Sequence, residues 1–140
     1  MCIRDSLLNF SNMRVEKINT NQASFGYSSP LKTLYKEHKL PTVKYGFYGD
    51  TLSIKNVSLE HLKAKSKGGV SCLSNYVLAS SRQNHARGND DIREHFNPSA
   101  AKRYLQQFID VKLPRFDGNK YIGMILNTLQ KLGINPSFYL

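Results

Sequence analysis

The stretch from residue 57 to residue 89, VSLEHLKAKSKGGVSCLSNYVLASSRQNHARGN, constrains the fold more than any other part of the chain. Two short apolar runs typical of strands flank a polar loop that contains a glycine pair, and Ser80-Ser81 then suits the N-terminus of a helix. Polar residues stand at the end of the first run, just before the second run and within the helix: Glu60, His61, Asn75 and Asn84. The pattern predicts a strand–loop–strand–helix unit with these polar groups at its junctions.

The spacing of these polar residues indicates a family. His61 and Asn75 are 14 positions apart, and Asn75 and Asn84 are 9 apart. Together with the pieces EHxxxxSKGG and NxxRG, this order resembles the HNH endonuclease family, whose catalytic core is the ββα-metal fold. The resemblance covers residues 45–89, about a third of the chain. It implies hydrolysis of DNA phosphodiester bonds with a divalent metal ion, leaving 5′-phosphate and 3′-hydroxyl ends.

Phosphodiester hydrolysis needs an activated water, a Lewis acid on the phosphate and help for the leaving oxygen. A His61 imidazole that is neutral near pH 7 can take the proton from water as general base. Glu60 and Asn84 offer oxygen ligands for Mg²⁺ or Mn²⁺. Glutamate is one methylene longer than the aspartate usual in the family, which leaves direct coordination by Glu60 open. In the family, the residue matched by Asn75 holds the histidine-bearing loop in place.

His85 is the alternative to Asn84 as the second metal ligand. Adjacent helical residues point about 100° apart, so only one of the two faces the metal. The ending Arg87-Gly88-Asn89 matches the family best when Asn84 is the ligand, and Arg87 then shares its face of the helix.

Many family members also hold a structural zinc between two CxxC pairs, and this sequence lacks them. The matching positions are Tyr45, Tyr48, Ser80 and Gln83. The chain has only two cysteines, Cys2 and Cys72, and no CxxC pair. Since Ser and Gln are poor zinc ligands, we expect no structural zinc.

Charge favours a polyanionic partner. The chain carries 20 Lys and Arg against 10 Asp and Glu, a formal net charge of +10. Five basic residues are predicted to contact phosphate: Lys63, Lys65, Lys67, Arg82 and Arg87. DNA is the predicted partner, without a membrane or a small-molecule cofactor. Such contacts set affinity and position without specifying base sequence.

The fold class predicted for the whole chain is α+β: a ββα-metal core with flanking N- and C-terminal helices. Residues 1–26 are predicted to be an irregular lead-in. Their first six residues, MCIRDS, resemble the translated remnant of a sequencing adapter. Residues 27–95 form the predicted core, with a helix from Ser29-Pro30 and a strand-like segment, Thr42–Leu59, that turns at Gly49-Asp50. Residues 96–140 are predicted to add two helices, one starting at Asn97-Pro98 and one spanning Asn119–Leu132.

Two other functions stay open from the sequence. A non-catalytic nucleic-acid-binding module could keep the HNH fold and the charge without turnover, which the glutamate at position 60 makes plausible. A basic RNA-binding structural protein needs only the charge and the aromatic residues, and it leaves the spacing of the polar residues to coincidence. If the chain is a nuclease, its resemblance to small stand-alone family members implies a phage-encoded or mobile-element protein in a bacterial cytoplasm.

Overall fold

The computed structural model describes residues 40–140, so the predicted lead-in and the helix after Ser29-Pro30 lie outside it. Within this range the chain mixes helix and strand, as the predicted α+β class requires. The strands are β1 (Val57–His61), β2 (Tyr76–Ser80), β3 (Lys112–Leu113) and β4 (Phe116–Asp117); the helices are α1 (Ser81–Arg87), α2 (Pro98–Gln106) and α3 (Gly118–Lys131). No helix in the described range is long and apolar enough to cross a bilayer.

The predicted strand–loop–strand–helix unit is confirmed. β1 and β2 pair antiparallel, with Val57 opposite Ser80 and His61 opposite Tyr76. The Ser80 side chain accepts a hydrogen bond from the Gln83 N–H, which caps α1 directly at the end of β2. Helix α1 therefore starts without a linker and lies against β1.

The segment before β1 is less regular than predicted. Instead of two strands, residues 42–56 contain one isolated bridge, Tyr45 to Thr51, around a turn in which Gly49 adopts φ +107°. The Phe47 N–H donates to the Leu78 carbonyl on the outer edge of β2. Gln107 binds the main chain of Tyr45 at both its N–H (2.9 Å) and its carbonyl (2.8 Å). A remote glutamine thus supplies the backbone partners that a neighbouring strand would otherwise provide.

Both predicted C-terminal helices are present, with corrected ends. Asn97 caps α2 and Asp117 caps α3 through their side-chain oxygens. Because α2 ends at Gln106, Ile109 lies beyond the helix and is 48% exposed. Between the two helices, the segment around Pro114 forms a short hairpin, β3–β4, with two residues in each strand.

Two buried tyrosines join these helices to the central hairpin. Tyr104 from α2 and Tyr121 from α3 are fully buried, and their hydroxyls lie 2.8 Å apart. Tyr121 donates to the Tyr76 carbonyl at 2.6 Å, and the Leu78 N–H donates to the Tyr104 hydroxyl at 3.0 Å. The outer edge of β2 is therefore satisfied by two phenols and by the Phe47 N–H, which places the helices and the hairpin around one core.

The burial of these two tyrosines predicts that the protein unfolds in alkali. Burial raises the pKa of both Tyr104 and Tyr121 above the ordinary value, so the folded chain holds them neutral. In the unfolded chain they ionise near pH ~10. Their contribution to stability is therefore complete below that pH and is lost as the pH rises above it. We expect tyrosinate absorbance for these groups to appear together with loss of circular dichroism, rather than as a gradual titration of an intact fold.

Candidate active site

Asn75 closes the loop that follows His61. The residue is only 3% exposed, and its Oδ1 accepts from the Lys63 N–H at 2.9 Å. Its Nδ2 donates to the carbonyls of Lys63 (3.1 Å) and Val70 (2.9 Å), and its own carbonyl accepts from the Leu62 N–H. One buried amide thus ties the residue two places after His61 to the far side of the loop. This arrangement suits the positioning role that the family resemblance implies for Asn75.

The glycine pair lets the same loop fold tightly. Gly68 adopts φ +91°, in the left-handed region that favours glycine. A Cβ on Gly69 would lie 1.8 Å from the Lys63 carbonyl oxygen, which already accepts from Asn75. A side chain at position 69 would therefore displace the main chain at Lys63, two residues from His61.

His61 is the last residue of β1. The residue is half-buried and its Nε2 is buried; the ring packs edge-on against Tyr76, the residue opposite it on β2, with ring centroids 5.1 Å apart. Its carbonyl accepts from Arg87 Nη1. The main chain and the ring of His61 are therefore both held by neighbouring groups.

Glu60, predicted as a metal ligand, is occupied by protein groups. Its Oε2 accepts from the Tyr48 hydroxyl at 2.6 Å and lies 3.2 Å from Arg87 Nη1. The side chains of Glu60 and Arg87 are 5% and 2% exposed. Burial and then the Glu60 charge raise the pKa of Tyr48, so its hydroxyl stays protonated and donates.

Arg87, predicted to contact phosphate, lies inside the protein. Besides Glu60 and the His61 carbonyl, its guanidinium donates to the carbonyls of Leu62 and Asp90, both at 2.8 Å. These bonds direct the guanidinium inward, so Arg87 does not belong to the basic surface.

Asn84 and His85 both line one open cavity of about 360 Å³, with Ser58, Ser81 and Gly88. Asn84 Nδ2 donates to Ser58 Oγ (3.1 Å) and to the Leu59 carbonyl (3.0 Å). No described residue donates to its Oδ1, which leaves that oxygen as a ligand atom. Because both side chains line the same cavity, Asn84 and His85 both remain candidate metal ligands.

The predicted Glu60–Asn84 pair does not fit a divalent cation as it stands. Asn84 Oδ1 is available, but the Glu60 carboxylate is buried and bound to a guanidinium, whose charge repels a metal ion. The group of described residues that could hold a metal is elsewhere: Asp90, Glu94 and His95 present ligand atoms within 4.8 Å of one another. The sequence analysis did not identify this group, for which the spacing D-x-x-x-E-H at residues 90–95 was the available signal.

The remaining predicted phosphate contacts are at the surface. Lys63, Lys65, Lys67 and Arg82 are all exposed. The three lysines flank the tight turn of the His61 loop, where a single 3₁₀ turn spans Lys65–Lys67. The basic surface, defined here as these four side chains, therefore has three lysines on the loop that follows His61 and one arginine in the first turn of α1.

The four positions that match the zinc-binding cysteines of family members contact other protein groups in this structure. Ser80 Oγ donates to Asp50 at 2.6 Å, and Gln83 Nε2 approaches the second Asp50 oxygen at 3.4 Å. Tyr48 binds Glu60, and the Arg103 guanidinium lies 4.1 Å above the ring of Tyr45. Hydrogen bonds to Asp50 thus link the turn before β1 to the start of α1.

Comparisons of the chain with protein-family models, with curated proteins and with solved structures found no match.

Proposed function

We propose that this chain is a metal-dependent endonuclease of the HNH type that hydrolyses DNA phosphodiester bonds, with His61 as the general base. The observation that carries the proposal is the Asn75 clamp: a buried amide makes three hydrogen bonds that fix the loop directly after His61. A turn residue at position 75 would need one bond at most, whereas a catalytic histidine needs its loop held in one geometry.

In this proposal, side chains of the protein bind the DNA, orient the base and take a proton from water. His61 takes the proton from the attacking water, and Tyr76 and the held carbonyl limit the positions that its ring can adopt. The basic surface binds the phosphates on either side of the cleaved bond. Mg²⁺, with Mn²⁺ as a substitute, is the proposed metal ion.

The first test is cleavage of a supercoiled plasmid by the full chain. We expect cleavage with Mg²⁺ or Mn²⁺ and none after EDTA, while circular dichroism and the melting temperature stay nearly unchanged, because no structural zinc is proposed. Restoring Mg²⁺ should restore cleavage without a refolding step. Stoichiometric zinc in the purified protein, together with unfolding on chelation, would contradict this expectation.

A second test concerns the basic surface. Removing Lys65 and Lys67 together should flatten the salt dependence of DNA binding by about two units of log–log slope, because each lysine that neutralises a phosphate releases counterions. Fluorescence anisotropy over a series of salt concentrations measures the slope. A matched double change of the exposed Lys120 and Lys131 on α3 serves as the control. An unchanged slope in the Lys65/Lys67 variant would show that these lysines are only solvated.

The non-catalytic nucleic-acid-binding module remains the second candidate, and the engagement of Glu60 by Arg87 favours it. This candidate predicts salt-dependent DNA binding with no cleavage under any divalent metal. The plasmid assay and the anisotropy measurement, made on the same preparation, separate the two functions.

A further inference from the structure

Three residues form a cluster at the end of β1: the buried Glu60 and Arg87 and the half-buried Tyr48. Arginine carries five N–H donors in a rigid planar fork, and here the fork reaches four acceptors. Nη1 serves the His61 carbonyl and Glu60 Oε2, Nη2 serves the Leu62 carbonyl at 2.8 Å, and Nε serves the Asp90 carbonyl. Three of these acceptors belong to consecutive residues, 60 to 62. The guanidinium therefore fixes the main chain at the end of β1.

Glu60 and Tyr48 each have a physical role beside the buried guanidinium of Arg87. An uncompensated guanidinium with a side chain only 2% exposed would be costly, and the Glu60 carboxylate supplies the opposite charge. Tyr48 occupies the same oxygen at 2.6 Å and is itself held protonated, so it fixes the orientation of the carboxylate. Both contacts fall on Oε2, so a divalent cation at Glu60 would lie beside the Arg87 guanidinium, whose charge repels it.

We propose that Glu60 is a positioning residue rather than a metal ligand: with Tyr48 it holds Arg87, and Arg87 fixes the main chain on which the His61 imidazole is mounted. The inference rests on the proposed function only in taking His61 as the base. It also explains the length of the side chain. An aspartate is shorter by one carbon–carbon bond, about 1.5 Å, and would not keep both the Tyr48 and the Arg87 contact.

Two substitutions at position 60 separate the two roles. Glu60→Gln keeps the length and an oxygen for Tyr48 and Arg87, whereas Glu60→Asp keeps the charge and is the residue usual in the family. A positioning role predicts that Glu60→Asp lowers kcat by about tenfold or more with KM for DNA little changed. Glu60→Gln should lower the melting temperature, because the buried Arg87 loses its opposite charge, but it should cost much less in kcat. A metal ligand predicts the opposite order, because the loss of charge weakens Mn²⁺ binding.

The experiment measures three quantities on the full chain: kcat and KM for DNA, Mn²⁺ affinity by electron paramagnetic resonance, and amide hydrogen exchange at Leu62 and Lys63. Arg87→Lys should behave like Glu60→Asp, because an ammonium cannot serve four acceptors in a plane. Arg93→Lys is the matched control, since the Arg93 side chain is 59% exposed and pairs with Asp91. In Glu60→Asp and Arg87→Lys we expect exchange at Leu62 and Lys63 to be about tenfold faster, with Mn²⁺ affinity unchanged.

A loss of Mn²⁺ affinity of about tenfold or more in Glu60→Gln, with exchange at Leu62 and Lys63 unchanged, would overturn the inference. Equal effects of the Gln and Asp substitutions on both readouts would also overturn it. If the parent chain cleaves no DNA, the proposed function fails, and the exchange rates and Mn²⁺ affinities still decide the role of Glu60. If Glu60→Asp does not fold, Glu60→Gln and Arg87→Lys decide it by the same two readouts.

Discussion

Replacing His61 with alanine is expected to lower the rate of DNA cleavage by at least ~10²-fold, which is the usual contribution of a positioned general base. DNA binding should persist, because the phosphate contacts are assigned to exposed side chains on the loop and on α1 rather than to the imidazole. The measurement is single-turnover cleavage with Mg²⁺, with anisotropy on the same DNA as the binding readout.

His95→Ala is the comparison variant: it removes a second half-buried histidine, which bonds to Asp90 at 2.9 Å and belongs to the group that could hold a metal. Each variant also needs a melting curve, because the His61 ring packs on Tyr76 and its removal costs some stability. Equal cleavage by His61→Ala and the parent would exclude His61 as the base. Loss of cleavage in His95→Ala alone would direct attention to the cluster of Asp90, Glu94 and His95.

The sequence predicts the parts of this fold that depend on neighbouring residues. β2, α1 and α3 each carry local signals: an unbroken apolar run, a serine cap, and an apolar stripe with a glycine after its end. The hydrogen bonds of Asn75 to Lys63 agree with the role that the family resemblance implies for this residue, which is to hold the loop after His61.

The features that the sequence does not predict depend on distant partners. Arginine is usually a surface residue, and nothing near position 87 shows that acceptors from β1 and from Asp90 converge on its guanidinium. Residues 42–56 alternate like a strand, yet the partner of Tyr45 is Gln107, 62 residues away. For the same reason, the engagement of Glu60 by Tyr48 and Arg87 emerges only from the three-dimensional structure.

Asn75 carries the second large expected effect. Asn75→Ala removes three partly buried side-chain hydrogen bonds and leaves the Lys63 N–H without the oxygen it donates to. At about 1 kcal/mol for each bond, and more for a buried group left unsatisfied, the free energy of unfolding should fall by about 3 kcal/mol or more. That is a large share of the roughly 5–15 kcal/mol that stabilises an ordinary domain.

The same substitution should reduce cleavage by about 10²-fold at temperatures where the fold persists, because the loop after His61 is no longer tied to Lys63 and Val70. Asn56→Ala is the matched control: Asn56 also closes a loop, accepting from the Ser53 N–H and donating to the Thr51 carbonyl. That loop precedes β1 and does not hold His61, so its loss should lower stability while leaving the cleavage rate of the folded protein nearly unchanged. Comparable losses of rate in the two variants would mean that Asn75 stabilises the fold without positioning the base.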